Sequence, residues 1–304
     1  MRSRQEKHQI IGVGSLLFTS LLYSSAIFFS RIMGSNIPVF FQLGTRNILM
    51  TLVFGACVFI TKNWKTISRS DFGWIAIRSF IGVFGFVFYF QSLNTLSVGT
   101  TYLTLYAGSV MGGFFLGKTL FGEKMTKEKI VSLLFAIVGL VIIYGNSVEI
   151  TSFRYFIVAF FAGIFGGIWN VIVKKVSNTY SALQLNFVDC VLAVPFSLGI
   201  SLLFSEKWQV PTFTDPWIAN VGLGFMYIIT GQLIIYGFRF LEASVGSIVL
   251  LAEILFAILY GYYFFNEIIT PPMIIGGLLI VVAIILPEVH SFAFVYNKER
   301  KHVS

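Results

Sequence analysis

Ten continuous apolar segments, separated by short polar breaks, make up most of this chain. Most have about 20 residues, the length at which an α-helix rising ~1.5 Å per residue crosses the ~30 Å hydrocarbon core of a bilayer. The segments do not alternate between apolar and polar residues as membrane β-strands do, so helices are predicted rather than a barrel. The charged fraction, 11%, agrees with this, since soluble domains carry about 25% charged residues.

The sequence therefore predicts an all-α membrane protein with ten transmembrane helices. The first segment follows a short basic head, a pattern that also describes a secretory signal peptide. Its length and the segments that follow it favour a helix that is retained. Predicted helices 1 to 10 are residues 10–30, 38–60, 74–93, 98–120, 130–144, 153–173, 182–204, 217–240, 245–265 and 273–286.

The charges between the segments predict their orientation. If the chain starts inside, the inner loops and ends carry 16 of the 21 lysine and arginine residues, and the outer ones carry three. This bias follows the positive-inside rule and predicts that both termini are cytoplasmic. It also explains the net charge of +8 without nucleic acid as a partner. The predicted partner is the lipid bilayer, and the predicted location is a bacterial inner (plasma) membrane.

The two halves of the chain repeat one design. The tripeptide Ser-Val-Gly at residues 97–99 recurs at 244–246, and FGEKMT at 121–126 is matched by FNEIIT at 265–270. Because each half has five predicted helices, an odd number, the second half enters the membrane upside down. Inverted five-helix repeats are typical of secondary transporters, whose substrate site lies near the midplane where the repeats meet. The predicted repeats are residues 1–150 and 151–304.

These features resemble the EamA family of the drug/metabolite transporter superfamily. The resemblance rests on the two five-helix halves, the acid that follows the fourth helix of each half, and the glycines in the fifth helices. It implies transport of small metabolites such as amino acids, nucleotide derivatives or amphipathic compounds. It also implies a central cavity lined mainly by predicted helices 1, 3, 4, 6, 8 and 9. Family members often carry a proline near the middle of helices 4 and 9, where this chain has Ala107 and Ile254.

Glu253 is the leading candidate for contact with a substrate. It lies about nine residues into predicted helix 9, roughly 14 Å deep, where a carboxyl group is expected to face a cavity or a partner. It is a countercharge for a cationic group, a proton-coupling site, or a neutral acid that holds helices together. An offset of 147 residues pairs it with Tyr106, so we expect these two side chains to face each other. Tyr102 shares a helix face with Tyr106 and is a candidate for the cavity lining or for ordinary packing.

Three other ionisable residues lie within the predicted helices. Arg46, roughly 12 Å deep, is a substrate-anion clamp or half of a structural ion pair, for which Glu253 has a matching depth. Asp189 is expected to be a structural cap or partner, and Arg78 is expected to snorkel to the membrane surface. Uncharged candidates for hydrogen bonds to the substrate, or to a neighbouring helix, are Gln91, Trp169, Asn170, Gln232 and Tyr236.

Two further patterns predict structural roles. Glu123 and Glu267 follow corresponding helices of the two halves, and we expect them to bond backbone groups at the start of the next helix, where an acid is favourable. Four small residues on predicted helix 4 predict close packing of helices, with a sliding gate as the alternative. These are Gly108, Gly112, Gly113 and Gly117.

One sequence match is misleading. Residues 112–119 fit the phosphate-loop pattern GxxxxGK[ST], but they lie inside an apolar helix rather than between a strand and a helix, so nucleotide binding is not expected. The three histidines lie near the termini, and the two cysteines lie in apolar segments without metal-ligand spacing. We therefore expect no metal site, no cofactor and no catalytic residues.

Three classes of function remain open from the sequence. The favoured class is a secondary transporter that moves a small-molecule substrate by alternating access, with protons as a candidate coupling ion. The others are a membrane scaffold or sensor that transports nothing, and an intramembrane enzyme, for which no reactive set of residues is recognisable. A transporter needs a central cavity that Glu253 faces, whereas a scaffold would fill that space with packed side chains.

Overall fold

The computed structural model describes residues 4–33, 36–62, 64–93, 95–96, 98–147 and 153–303, and these residues form a helical bundle without a strand among them. Short 3₁₀ turns follow α6 and α7. The helices are α1 (Arg4–Ser24), α2 (Ala26–Met33), α3 (Val39–Thr61), α4 (Arg69–Leu93), α5 (Val98–Thr119), α6 (Lys127–Tyr144), α7 (Phe153–Ile172), α8 (Ala182–Leu203), α9 (Asp215–Phe240), α10 (Ala243–Val249), α11 (Ala252–Phe265) and α12 (Pro271–Val303).

Six apolar spans in the described part of the chain are long enough to cross a membrane, so the protein is an integral multi-pass membrane protein. Five of them are formed by α3, α4, α7, α8 and α9, and the sixth runs through α10 and α11. Helices α3 to α9 correspond to predicted helices 2 to 8. Predicted helices 1 and 9 are each divided in two, into α1 and α2 and into α10 and α11.

The division between α10 and α11 lies at Leu250 and Leu251, although neither proline nor glycine occurs there. The backbone N–H groups of Leu251 and Glu253 donate to carbonyl oxygens three residues earlier, at 3.0 and 3.1 Å. The Leu250 carbonyl oxygen also accepts a hydrogen bond of 3.2 Å from the Ser20 hydroxyl of α1. Bonds of this kind satisfy irregular backbone at a depth where the bilayer supplies no water.

Helix α4 begins at Arg69, five residues before the predicted start at Trp74. Ser68 explains the earlier start, because its hydroxyl accepts a hydrogen bond from the Asp71 N–H (3.1 Å) and donates one to the Asp71 carboxylate (2.8 Å). Ser68 is therefore the N-cap residue of α4, since its hydroxyl oxygen accepts from the N–H group at the third helical position. The extra residues place Arg78 nine residues, or roughly 13 Å, from the start of its helix.

The helices pack mainly across the two halves of the chain, and each such contact recurs between the counterpart helices. The pairs α3–α8 and α6–α12 each join a predicted helix to its counterpart in the other half. Helix α7 packs on α4 and α5, and its counterpart α1 packs on α9 and α11, the counterparts of α4 and α5. Two repeats related by an approximate twofold axis would show this exchange of contacts. The centre of the bundle is therefore a meeting place of both halves.

Candidate functional site

A cavity of about 320 Å³ lies in the centre of the bundle and is lined by both halves of the chain. Its wall includes residues of all six helices that the family resemblance implied as the lining, which are predicted helices 1, 3, 4, 6, 8 and 9. It also includes five residues of α3 and four of α8, which correspond to predicted helices 2 and 7. The contribution of α3 and α8 follows from their packing against each other.

The cavity wall contains six of the nine predicted substrate-binding residues, which are Arg46, Tyr102, Tyr106, Trp169, Asn170 and Glu253. Their contact with a substrate stays a prediction. The other three are not among the residues of the cavity wall. Gln91 is exposed near the end of α4, and Tyr236 is 41% exposed. Gln232 is half-buried on a face of α9 that differs from the face of Tyr227 and Gly231, which border the cavity.

Glu253 lies in the first turn of α11, directly after the break in the helix, and borders the cavity. Tyr106 borders the same cavity and its side chain interacts with the Glu253 carboxyl group, in agreement with the predicted proximity of these two residues. The ring of Tyr102 stacks on that of Tyr106 with centroids 5.8 Å apart, and its hydroxyl oxygen lies 3.4 Å from that of Tyr89. The carboxyl group therefore stands at one end of a run of tyrosines on α4 and α5.

Arg78 and Asp189 form a buried ion pair beside the cavity. The Arg78 Nε donates to the Trp169 carbonyl oxygen (3.2 Å), and its guanidinium lies 4.3 Å from the centroid of the Trp169 ring. Arg78 is 2% exposed, so the expectation that it snorkels is wrong. The reason is the early start of α4, which places Arg78 at the depth of Asp189, seven residues into α8. The expectation of a structural partner for Asp189 is confirmed.

Arg46 is also buried, at 1% exposed, but its surroundings are different. The predicted ion pair with Glu253 is wrong, because no ion pair of Arg46 occurs among the described residues. Its Nη1 donates a long hydrogen bond of 3.4 Å to the Asn220 side-chain oxygen. The guanidinium also lies 5.2 Å from the centroid of the Phe86 ring and 5.1 Å from that of Tyr227.

Outside the membrane-spanning segments, Glu123 links the two halves at the end of the bundle where α10 begins. Its carboxylate accepts hydrogen bonds from the backbone N–H groups of Ala243 and Ser244 and from the Ser244 hydroxyl, and the Lys174 ammonium lies 3.2 Å away. Burial alone would raise the pKa of Glu123, but these donors outweigh it and hold the pKa below its ordinary value of 4.5. The expected position at a helix start is confirmed, although that helix is α10 rather than the next helix, α6.

The backbone around Glu123 repeats around Glu267. Each acid donates its N–H to the carbonyl oxygen of a glycine six residues earlier, from Glu123 to Gly117 at 2.8 Å and from Glu267 to Gly261 at 3.0 Å. The residue before each acid has a positive φ, of 63° and 54° respectively. The match at an offset of 144 residues is therefore a repeat of local structure as well as of sequence.

A helical membrane protein with repeated halves and a central cavity lined by both of them has the architecture of many secondary transporters. The model of the EamA-like transporter family matches residues 10–145 and 153–287, so the chain belongs to this family, part of the drug/metabolite transporter superfamily. Members of this family are transporters, not enzymes.

Two individual proteins are similar to this chain. A Saccharomyces cerevisiae protein described as an uncharacterized membrane protein is 22% identical over 230 residues, which cover 67% of this chain and 55% of that protein. The chain thus spans about half the length of this relative. A crystal structure of another protein matches with a TM-score of 0.74 at 17% identity, over 93% of this chain and 97% of that one. At this identity the match shows the fold alone.

Proposed function

We propose that this protein is a secondary transporter that moves a small metabolite across the membrane by alternating access. The observation that carries the proposal is the central cavity, which both halves line and Glu253 borders. Its volume of about 320 Å³ is within the range of small-molecule sites. A scaffold or sensor would fill this space with packed side chains, since an unfilled cavity forfeits packing energy.

The topology that this function requires is ten spans in two inverted repeats. In this proposal α1 continues into α2 as one span, and α10 continues into α11 as another. The exchange of helix contacts between the halves supports the inverted repeat. An inverted repeat in turn allows two similar packings, and these give inward-open and outward-open states of comparable energy. The basic loops support cytoplasmic ends. The membrane that we propose is a bacterial plasma membrane.

Glu253 is the residue that we assign to the cargo or to a coupling proton. An ionisable side chain deep in a membrane protein is costly and typically serves a substrate or proton path. Glu253 directly follows the break before α11 and borders the cavity together with Tyr106. The cargo that this arrangement suits is a small polar or amphipathic metabolite.

The first experiment is a thermal-stability screen of the purified protein against amino acids, nucleotides, S-adenosyl compounds, sugars and cationic amphiphiles. A ligand present at a hundredfold over its Kd is expected to stabilise the folded state by about 2.7 kcal/mol. Compounds that raise the Tm are then tested, in radiolabelled form, for counterflow into proteoliposomes that contain the same compound inside. Saturable accumulation above protein-free liposomes is the expected result.

Two variants make this test specific. Glu253→Gln is expected to lose accumulation because it removes the only acid among the described residues of the cavity wall that lacks an ion-pair partner. Glu242→Gln is the matched control, because Glu242 is half exposed, pairs with Lys129 and lies away from the cavity. A protein that binds and transports no compound of the panel, or a Glu253→Gln variant with unchanged counterflow, would contradict the proposal.

A further inference from the structure

The protein buries two arginines near the cavity, and the two differ in how their charge is neutralised. Arg78 forms an ion pair with Asp189 and donates a second hydrogen bond to the Trp169 carbonyl oxygen. Arg46 is buried to the same degree, yet no carboxylate lies within ion-pair distance of it in the described part of the chain. Because a buried charge normally has a partner of opposite sign, the difference between the two arginines needs an explanation.

The contacts of Arg46 leave one edge of its guanidinium unused. Its Nη1 donates to Asn220, whereas its Nε and Nη2 are buried and have no hydrogen-bond partner. These two nitrogens lie on the same edge of the planar group, at the spacing that matches the two oxygens of a carboxylate. The rings of Phe86 and Tyr227 lie about 5 Å from the guanidinium, but a ring accepts no in-plane hydrogen bond from that edge.

The surroundings hold Arg46 in place for a partner. The Asn220 side chain is oriented by its own NH₂ group, which donates to the Thr45 hydroxyl at 3.1 Å and to the Gln42 carbonyl at 3.4 Å. Its oxygen is therefore directed to Arg46. On the facing helix α9, Gly224 leaves room for the arginine, because a Cβ atom at Gly224 would come within 3.3 Å of the Arg46 Cγ. Arg46 borders the cavity, and a fixed pair of adjacent donors is the arrangement that recognises an oxyanion.

We propose that Arg46 is the anion-binding residue of the cavity and that the cargo carries a carboxylate group, which binds the Nε and Nη2 edge and supplies the missing countercharge. This inference rests on the proposed transport function and narrows its substrate class. Arg46 on this view excludes neutral analogues of the cargo, because they would leave its charge buried and unpaired. Arg78, already neutralised by Asp189, makes no such demand on a ligand.

The first test compares the stability of two variants of the purified full-length protein without ligand. Arg78→Gln is expected to lower the Tm, because it leaves the Asp189 carboxylate buried without its partner. Arg46→Gln is expected to leave the Tm unchanged or to raise it, because it removes an unpaired buried charge. A decrease in Tm for Arg46→Gln as large as that for Arg78→Gln would show that Arg46 has a structural role and overturn the proposal.

The second test uses ligand pairs that differ only in charge. The probes are phenylacetate, 3-phenylpropanoate and phenylalanine, each with its amide, together with phenyl phosphate and sodium chloride at matched ionic strength. At least one carboxylate is expected to bind tenfold or more tightly than its amide. Arg46→Gln is expected to abolish this preference, and Arg46→Lys to restore part of it, because lysine keeps the charge but not the paired donors.

Several results of the second test would overturn the proposal. No carboxylate preference in the wild type, or an unchanged preference in Arg46→Gln, would remove Arg46 from substrate recognition. A stronger response to phenyl phosphate would assign the site to phosphate, and an equal response to chloride would make it an inorganic-anion site. Counterflow in proteoliposomes separates this inference from the transport proposal. Carboxylate binding through Arg46 without counterflow would contradict transport alone, whereas counterflow that ignores Arg46→Gln would contradict the inference alone.

Discussion

Two contacts occupy corresponding positions in the two halves but are built differently. One is the contact between α5 and α7, and the other is the contact of α1 with α10 and α11. On α5 and α7, glycines place backbone directly against backbone. An added Cβ at Gly108 would collide with the Phe160 carbonyl oxygen, and one at Gly163 would collide with the Leu105 carbonyl oxygen. Small residues of this kind let membrane helices approach closely and maximise van der Waals contact. The close packing predicted for the glycines of this helix is confirmed.

The contact of α1 is made by side chains instead. Leu16, fully buried, packs between Gly237 of α9 and Gly246 of α10. An added Cβ at Gly246 would meet the edge of the Phe238 ring at 2.6 Å and a Leu16 methyl group at 3.1 Å. Side chains can change rotamer to make room, whereas backbone within a helix cannot. The comparison therefore indicates that α5 and α7 form a rigid unit and that rearrangement is easier around α1 and α10.

The largest expected effect comes from the same substitution made in both contacts. Gly163→Ala is expected to destabilise the protein by about 3 kcal/mol or more, because its methyl group meets a helix backbone that cannot move aside. Gly246→Ala is expected to cost about 1 kcal/mol, because the Phe238 ring and Leu16 can shift. Thermal unfolding of the two purified variants measures the difference. Equal losses of stability would show that the two contacts are equally rigid.

A smaller loss of stability is expected at Glu123, which joins the α5–α7 region to the region around α1 and α10. The Glu123 side chain, 5% exposed, connects the end of α5 to the start of α10. Glu123→Gln is expected to cost about 2 kcal/mol at pH 7, because an amide cannot accept all the hydrogen bonds that the carboxylate accepts. Glu242→Gln is the control. Glu242 is half exposed, and the buried Lys129 ammonium keeps its hydrogen bond to the Lys124 carbonyl oxygen, so a loss below about 1 kcal/mol is expected.

The stabilisation that the Glu123 carboxylate contributes is expected to decrease at low pH. The pKa of Glu123 is lower in the folded protein than its ordinary value of 4.5, so the stability that the carboxylate contributes is fully present above that value. It is lost as the pH falls through the lowered pKa of the folded state. The difference in Tm between the wild type and Glu123→Gln is therefore expected to be constant from pH 7 to about 5 and to shrink below pH 4.5. A difference that grows as the pH falls would contradict the assigned role of Glu123.

The sequence predicted the parts of this structure that depend on local pattern and on repetition. Apolar length predicted the helices, and the internal offset of 147 residues predicted the contact of Tyr106 with Glu253. The start of α4 was missed because charged residues precede its apolar segment. The pattern Ser-x-x-Asp at residues 68–71 is a capping-box signature and was the signal that could have placed it. With that start, the equal depth of Arg78 and Asp189 would have indicated their ion pair.

Other features depend on contacts between distant parts of the chain, and no local pattern indicates them. Glu123 caps a helix in the other half, 120 residues later, instead of the next helix. Arg46 and Glu253 have similar predicted depths, but depth along a helix does not determine which face a side chain occupies. The same holds for Gln232 and Gly231, which are neighbours in sequence although only Gly231 borders the cavity. These differences arise from rotation about the helix axis.

The smallest expected effect concerns the break between α10 and α11, which has no counterpart within α5. Ser20→Ala removes the hydrogen bond from the α1 hydroxyl to the Leu250 carbonyl oxygen and is expected to cost about 1 kcal/mol, because that oxygen still accepts from the Glu253 N–H. Ser24→Ala is the matched control on the same helix. Its hydroxyl donates to the Leu21 carbonyl oxygen of its own turn and, among the described residues, bonds no other helix, so no measurable change in Tm is expected. If Ser20→Ala is no less stable than Ser24→Ala, the bond from α1 does not hold the break, and the contrast between a rigid α5 and an interrupted α10–α11 segment must originate within α10 and α11 themselves.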